Sequence, residues 1–64
     1  MNPTCETQFS DGPCKAVAVA VVSEIKSGVQ SDACADCYRD KVLHDSTHTL
    51  IDAYDLGAVA TIKA

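Results

Sequence analysis

The stretch SDACADCYRDKVLHDSTHTLIDAYDLG, residues 31–57, decides how this chain can fold, because it joins a cysteine pair to an apolar pattern of helical period. Ser31 or Asp32 is placed to act as N-cap, and Gly57 is placed to end the helix as a C′ residue. At about 100° per residue, apolar and polar side chains separate onto opposite faces. The apolar face contains Ala35, Tyr38, Val42, Leu43, Leu50, Ala53 and Tyr54, and the polar face contains Lys41, His44, Asp45, His48, Asp52 and Asp55. The pattern predicts one long amphipathic helix.

Upstream of this stretch, the sequence predicts a β-hairpin. Residues 15–25, KAVAVAVVSEI, have period-two alternation that sets Val17, Val19 and Val21 on one side and alanines on the other. Gly28 suits a reversing turn, and residues 29–33 would return as a second strand. Downstream, residues 58–63, AVATIK, predict a short final strand. The expected fold is therefore α+β, a β-hairpin extended to a three-stranded antiparallel sheet and packed on one amphipathic helix, in a single domain of residues 1–64.

A chain of 64 residues buries too little surface for its core alone to be very stable. Hydrophobic residues make up 47% of it, but alanine and valine dominate and the only aromatic residues are Phe9, Tyr38 and Tyr54. Small side chains bury little apolar area each. The fold is therefore expected to need a covalent or metal staple.

The four cysteines, Cys5, Cys14, Cys34 and Cys37, are the candidates for that staple. Structural zinc takes four ligands in a tetrahedron and is often held by thiolates, so two cysteine pairs satisfy the count. Cys34 and Cys37 have Cys-x-x-Cys spacing in the first helical turn, where free N–H groups favour thiolate. Cys5 and Cys14 are separated by eight residues, and the Ser-Asp-Gly-Pro sequence between them allows the loop to fold back.

Two other uses of the cysteines stay open at this point. Four cysteines allow three disulfide connectivities, of which Cys5 with Cys14 and Cys34 with Cys37 is one. Cys34 and Cys37 could also cycle between dithiol and disulfide in a redox protein, although the βαβ context of thioredoxin-like proteins is missing. Metal content separates these alternatives from zinc.

The order of a cysteine-bearing turn, a β-hairpin and a helix that opens with Cys34 and Cys37 resembles the treble-clef zinc fingers, over residues 5–54. Size and layout are also similar to those of small zinc-finger proteins of bacterial viruses. The resemblance implies that Cys5, Cys14, Cys34 and Cys37 bind one structural Zn²⁺. The chain departs from that family in the long spacing between Cys5 and Cys14.

His44 and His48, four residues apart, would share one face of the helix and could chelate a metal. Cys37 lies about 10 Å from His44 along the helix axis, at 1.5 Å per residue, which is too far for one shared site. We therefore expect both histidines on a solvated face, with His48 and Asp52 as an ordinary i, i+4 pair.

The charge of the chain excludes some partners. Formal net charge is −4 with five scattered basic residues, so direct binding to nucleic acid is not expected.

The longest apolar run, residues 16–22, is far shorter than the roughly 20 residues that span a bilayer. The first residues lack the pattern of a secretory signal, which favours a cytoplasmic location.

The same residues favour binding over catalysis. The sequence has no nucleophile elbow or phosphate-binding glycine-rich loop, and its acids are spread along the predicted helix, so an enzyme is not expected. We expect a protein-binding module that uses the acidic helix or a free sheet edge. An acidic inhibitor of a nucleic-acid-binding protein is the alternative. Incomplete cover of the valine face would also allow a homodimer.

Overall fold

The computed structural model describes residues 2–62 and confirms an α+β fold. Five strands and two short α-helices make up the fold, together with a π-helical segment that continues the first helix. In chain order the elements are β1 (Gln8–Phe9), β2 (Gly12–Pro13), β3 (Ala20–Glu24), β4 (Gln30–Ala33), α1 (Ala35–Tyr38), the π-helical segment Arg39–His44, β5 (His48–Ala53) and α2 (Leu56–Thr61). Among residues 2–62, no helix is long and apolar enough to span a membrane.

The predicted β-hairpin is present as β3 and β4, which pair antiparallel from Ala20 with Ala33 to Ser23 with Gln30. Gly28 takes a φ of +75° in the connecting turn, a conformation that glycine adopts without steric cost. Strand β3, the first strand of this hairpin, begins at Ala20, later than predicted, because Val17 forms only an isolated bridge with Thr4. The hairpin delivers the chain to Cys34 at the start of α1, as the sequence predicts.

The prediction of one helix up to Gly57 is wrong. The helical conformation ends with the π-helical segment at His44, and Ser46 takes a positive φ of 57° before the chain becomes extended. Strand β5 then pairs antiparallel with β3, with a bulge opposite Val21 and Val22, and completes a sheet of order β4-β3-β5. Residues predicted on the two helix faces, such as Leu50 and Asp52, therefore lie in a strand.

The sheet is three-stranded as predicted, but its third strand is β5 and not residues 58–63. Most of that predicted strand is helix α2, and Lys63 lies outside the described residues. Val59 of α2 is buried in the core. Val59 and Ile62 both contact the core, which the helix permits because residues three apart share one of its faces, whereas in a strand they would point to opposite faces.

The core lies on the alanine side of the β3 alternation. Ala18, Ala20 and Val22 are fully buried, whereas Val17 is 61% exposed. Ala33 of β4 is also fully buried against the same cluster. Small side chains on this face let α1 and the cysteine-bearing segments approach the sheet closely.

Asp55 fixes the start of α2, and its loss is expected to destabilise the fold by about 1 kcal/mol. The Asp55 carboxylate accepts a hydrogen bond from the Ala58 N–H at 3.1 Å, which satisfies one of the free donors of the first helical turn. Asp55→Ala removes this acceptor, whereas Asp55→Asn keeps it. Urea unfolding should show a lower free energy of unfolding for the alanine variant and a value near wild type for the asparagine variant. Equal losses in both variants would contradict the capping role.

Candidate metal centre

The cysteine pair at the helix start occupies two positions of one turn. Cys34 is the N-cap of α1 with extended backbone angles, and Cys37 lies in the first turn. The Tyr38 N–H donates to the Cys34 carbonyl at 2.8 Å, which closes this turn. Both cysteines are about 5% exposed. Strand β4 ends one residue earlier, at Ala33, so the hairpin holds the pair against the sheet.

The other cysteine pair flanks a small β-hairpin. Strands β1 and β2 pair antiparallel, with Phe9 opposite Gly12, and the φ of +130° at Gly12 lies in the region that favours glycine. The Cys14 N–H donates to the Thr7 carbonyl at 2.8 Å, and the Cys5 N–H donates to the Ala16 carbonyl at 2.8 Å. These bonds bring the two ends of the hairpin together. Four of the eight residues between Cys5 and Cys14 therefore pair as a small β-hairpin, which holds the two cysteines close together.

The four sulfur atoms converge. The Sγ atoms of Cys5, Cys14, Cys34 and Cys37 all lie within 4.8 Å of one another, and those of Cys14 and Cys34 are 3.7 Å apart. Zn–S bonds of about 2.3 Å in a regular tetrahedron place the sulfurs about 3.8 Å apart. All four cysteines are free thiols, and three are buried while Cys14 is half-buried. The arrangement could hold a metal ion.

Burial sets the electrostatics of the cluster. Burial is the main cause that raises the pKa of the Cys37 thiol to about 12, with the neighbouring Cys34 and Cys5 sulfurs adding to it. Burial also raises the pKa of Cys34. It acts to raise the pKa of Cys5 too, but hydrogen bonds from Thr7 and the Cys34 backbone outweigh it and lower that pKa to about 6. A cation among the sulfurs would stabilise the thiolate forms, since metal coordination deprotonates thiols.

Neither histidine belongs to the cysteine cluster. His44 is exposed at the end of the π-helical segment, with its Nδ1 atom 3.1 Å from Asp45 Oδ1, and this carboxylate raises its pKa. His48 lies in β5, and its Nδ1 atom is 2.8 Å from Thr47 Oγ1. The predicted helical i, i+4 pair of His48 and Asp52 does not exist, because both residues are in a strand.

No family model, curated protein or solved structure matches this chain. The fold and the cluster nevertheless define a class: a small α+β domain in which two distant segments bring four cysteines into position for one metal ion.

Proposed function

We propose that this chain is a structural-zinc domain that acts as a protein interaction module. The convergence of four sulfurs from two segments about 20 to 30 residues apart carries the proposal. Soft thiolate ligands in a tetrahedral arrangement are typical of zinc and of iron–sulfur sites. We propose zinc, because four cysteines around one ion are a usual ligand set of structural zinc sites.

The order of the elements supports a zinc site of treble-clef type. The β1–β2 hairpin carries the first cysteine pair, the β3–β4 hairpin follows, and the first turn of α1 carries the second pair. This is the order that the sequence resemblance implies. The similarity to proteins of bacterial viruses and the cytoplasmic location stay predictions.

The ligand set supports a structural and not a catalytic role. Catalytic zinc keeps one coordination position for water or substrate, whereas structural zinc is closed by four protein ligands. Cys5, Cys14, Cys34 and Cys37 would fill all four positions. The expectation that the chain is not an enzyme is therefore part of the proposal, and binding surfaces become the place to look for function.

Native mass spectrometry of protein purified without added metal should find one Zn²⁺ per chain. Four thiolates add four negative charges and Zn²⁺ adds two positive ones, so the formal net charge would change from −4 to −6. Zinc that a chelator removes together with the circular dichroism of the fold would support the proposal.

The same spectrum tests the redox alternative. A metal-free chain that stays folded with a mass lower by two or four hydrogens would mean disulfides, and would overturn the zinc proposal. Peptide mapping would then show whether Cys34 pairs with Cys37, as a redox centre requires, or with Cys14, whose sulfur lies 3.7 Å away. An optical spectrum with visible absorption would instead identify an iron site.

A further inference from the structure

One face of the three-stranded sheet carries none of the buried core side chains of the described residues, 2–62. Strand partners in an antiparallel sheet point to the same face, so the pairings of Val21 with Asp32 and of Val21 with Asp52 set these three side chains in one row. The opposite face carries the fully buried Ala20, Val22 and Ala33, whereas Val21 and Asp32 are half-buried and Asp52 is exposed. We call the face with Val21, Asp32 and Asp52 the outer face.

A shallow groove of about 270 Å³ lies on the outer face. It is lined by Glu6, Val21, Gln30, Ser31, Asp32 and Tyr54. The Tyr54 hydroxyl donates to Asp32 Oδ1 at 2.7 Å, and the Asp32 N–H donates to Glu6 Oε1 at 2.7 Å. These bonds place the phenol ring of Tyr54 beside the Asp32 carboxylate and the Glu6 carboxylate beside strand β4.

The groove carries negative charge with no basic side chain in its lining. The hydrogen bond to Asp32, burial, and the charges of Asp32, Asp52 and Glu6 all raise the pKa of Tyr54. Of the basic residues elsewhere in the fold, Arg39 pairs with Asp36 on α1 at 3.7 Å, and Lys26 lies in the turn between β3 and β4. Among residues 2–62, no basic side chain forms an ion pair with Glu6, Asp32 or Asp52, so within this part of the chain the charge of the groove is available to a cationic partner.

The carboxylates are not arranged to bind a bare metal ion. Among residues 2–62, the cysteine cluster is the only group of three or more metal-ligating side chains whose ligand atoms converge. Asp32 and Asp52 instead flank Val21 across three strands, a spacing of about 10 Å at 4.8 Å per strand. Such a spread of charge beside an aromatic ring fits long cationic side chains, since a guanidinium group stacks on aromatic faces and pairs with carboxylates.

We propose that the outer face docks a basic segment of a partner protein, with arginine side chains against Tyr54 and the carboxylates of Asp32 and Asp52. This inference rests on the proposed interaction module and names its surface and the chemistry of its partner. The sequence predicts a binding surface on the acidic helix or at a free sheet edge, whereas the structure brings acids from three separate segments together on one sheet face.

A titration of zinc-loaded, ¹⁵N-labelled protein with a synthetic peptide of alternating arginine and glycine tests this docking by NMR. Amide shifts should concentrate on Val21, Asp32, Asp52 and Tyr54, and raising the salt concentration should weaken binding. A peptide with citrulline in place of arginine has the same shape without the charge and should produce no such shifts. Shifts concentrated elsewhere, or equal binding of the citrulline peptide, would overturn the proposal.

A matched pair of variants distinguishes peptide binding at the outer face from a general effect of the chain's negative charge. Asp52→Asn removes one charge from the outer face and keeps the oxygen that accepts the Ala53 N–H, and it should raise the dissociation constant about threefold. Asp11→Asn removes the same charge at the exposed β1–β2 turn and should leave binding unchanged. Equal weakening by both variants would overturn a defined docking site.

The zinc content of the same samples distinguishes failure of the docking proposal from failure of the structural-zinc proposal. Absence of peptide binding to protein that carries one zinc per chain would overturn the docking surface alone. Absence of zinc from a folded chain would overturn the proposed structural-zinc function, whether or not the peptide binds.

Discussion

Cys37→Ser is expected to abolish tight zinc binding and to leave most of the chain unfolded. Zinc binding in small fingers contributes roughly 10–16 kcal/mol in apparent terms, as large as the roughly 5–15 kcal/mol that stabilises a typical domain. Cys37 is a buried member of the cluster, so its loss removes one thiolate and leaves three without a complete site. Zinc affinity should fall more than the roughly 10–100-fold that follows loss of a group that merely orients a ligand. Circular dichroism and zinc content measure both effects.

Ala35→Ser is the control, because it places a serine hydroxyl between the two cysteines of the same helical turn. Its cost should stay within about 0.5 kcal/mol, the difference in helix propensity, and zinc should be retained. Chelation of the wild-type protein under reducing conditions should give the same unfolded spectrum as Cys37→Ser. A serine variant that keeps its fold without zinc would contradict the coupling of metal and fold.

The parts of this fold that the sequence predicts correctly depend on local signals. Gly28 between two β-prone runs predicts the β3–β4 hairpin, because the turn and its strands are neighbours in the chain. The Cys-x-x-Cys spacing predicts that Cys34 and Cys37 share one helical turn. The turn-forming sequence Ser-Asp-Gly-Pro, within the eight residues between Cys5 and Cys14, predicts that these two cysteines can approach each other, as they do in the structure.

The helix prediction fails where long-range pairing decides the conformation. Residues 48–53 fit an apolar stripe of helical period, yet they pair with β3 and place Leu50 opposite Val22. Pairing between residues 24 to 33 positions apart in the chain cannot be detected on a helical wheel. Thr47, Thr49 and Ile51 are β-branched at alternate positions, and this was the local signal for a strand.

A capping signal was also missed after β5. The sequence analysis places Asp55 on the polar face of the long helix, although Asp followed by LGAVAT is also typical of a helix N-terminus with Asp55 as N-cap. The acids that were expected together on one helix consequently separate. Asp52 joins the outer face with Asp32, while Asp40 and Asp45 stay at the π-helical segment.

Val22→Ala is expected to destabilise the zinc-loaded protein by about 2 kcal/mol, the lost transfer free energy of two methyl groups plus a cavity term. Val22 is fully buried among Ala20, Ala33, Tyr38 and Val59. The side chains of Ala20 and Ala33 are too short to move into the cavity that the two lost methyl groups would leave. Urea unfolding at a fixed, buffered free zinc concentration measures the change, because bound zinc itself adds to apparent stability.

Val17→Ala makes the same chemical deletion in the same alternating run and is expected to cost less than about 0.5 kcal/mol. Val17 is 61% exposed, so few of its atoms leave water on folding. The pair thus tests which side of the period-two pattern faces the core, independently of the cysteines. A large loss for Val17→Ala that grows with protein concentration would mean that a second copy of the chain covers Val17, as the predicted homodimer requires. A loss for Val22→Ala no larger than that for Val17→Ala would contradict a core on the alanine side of β3.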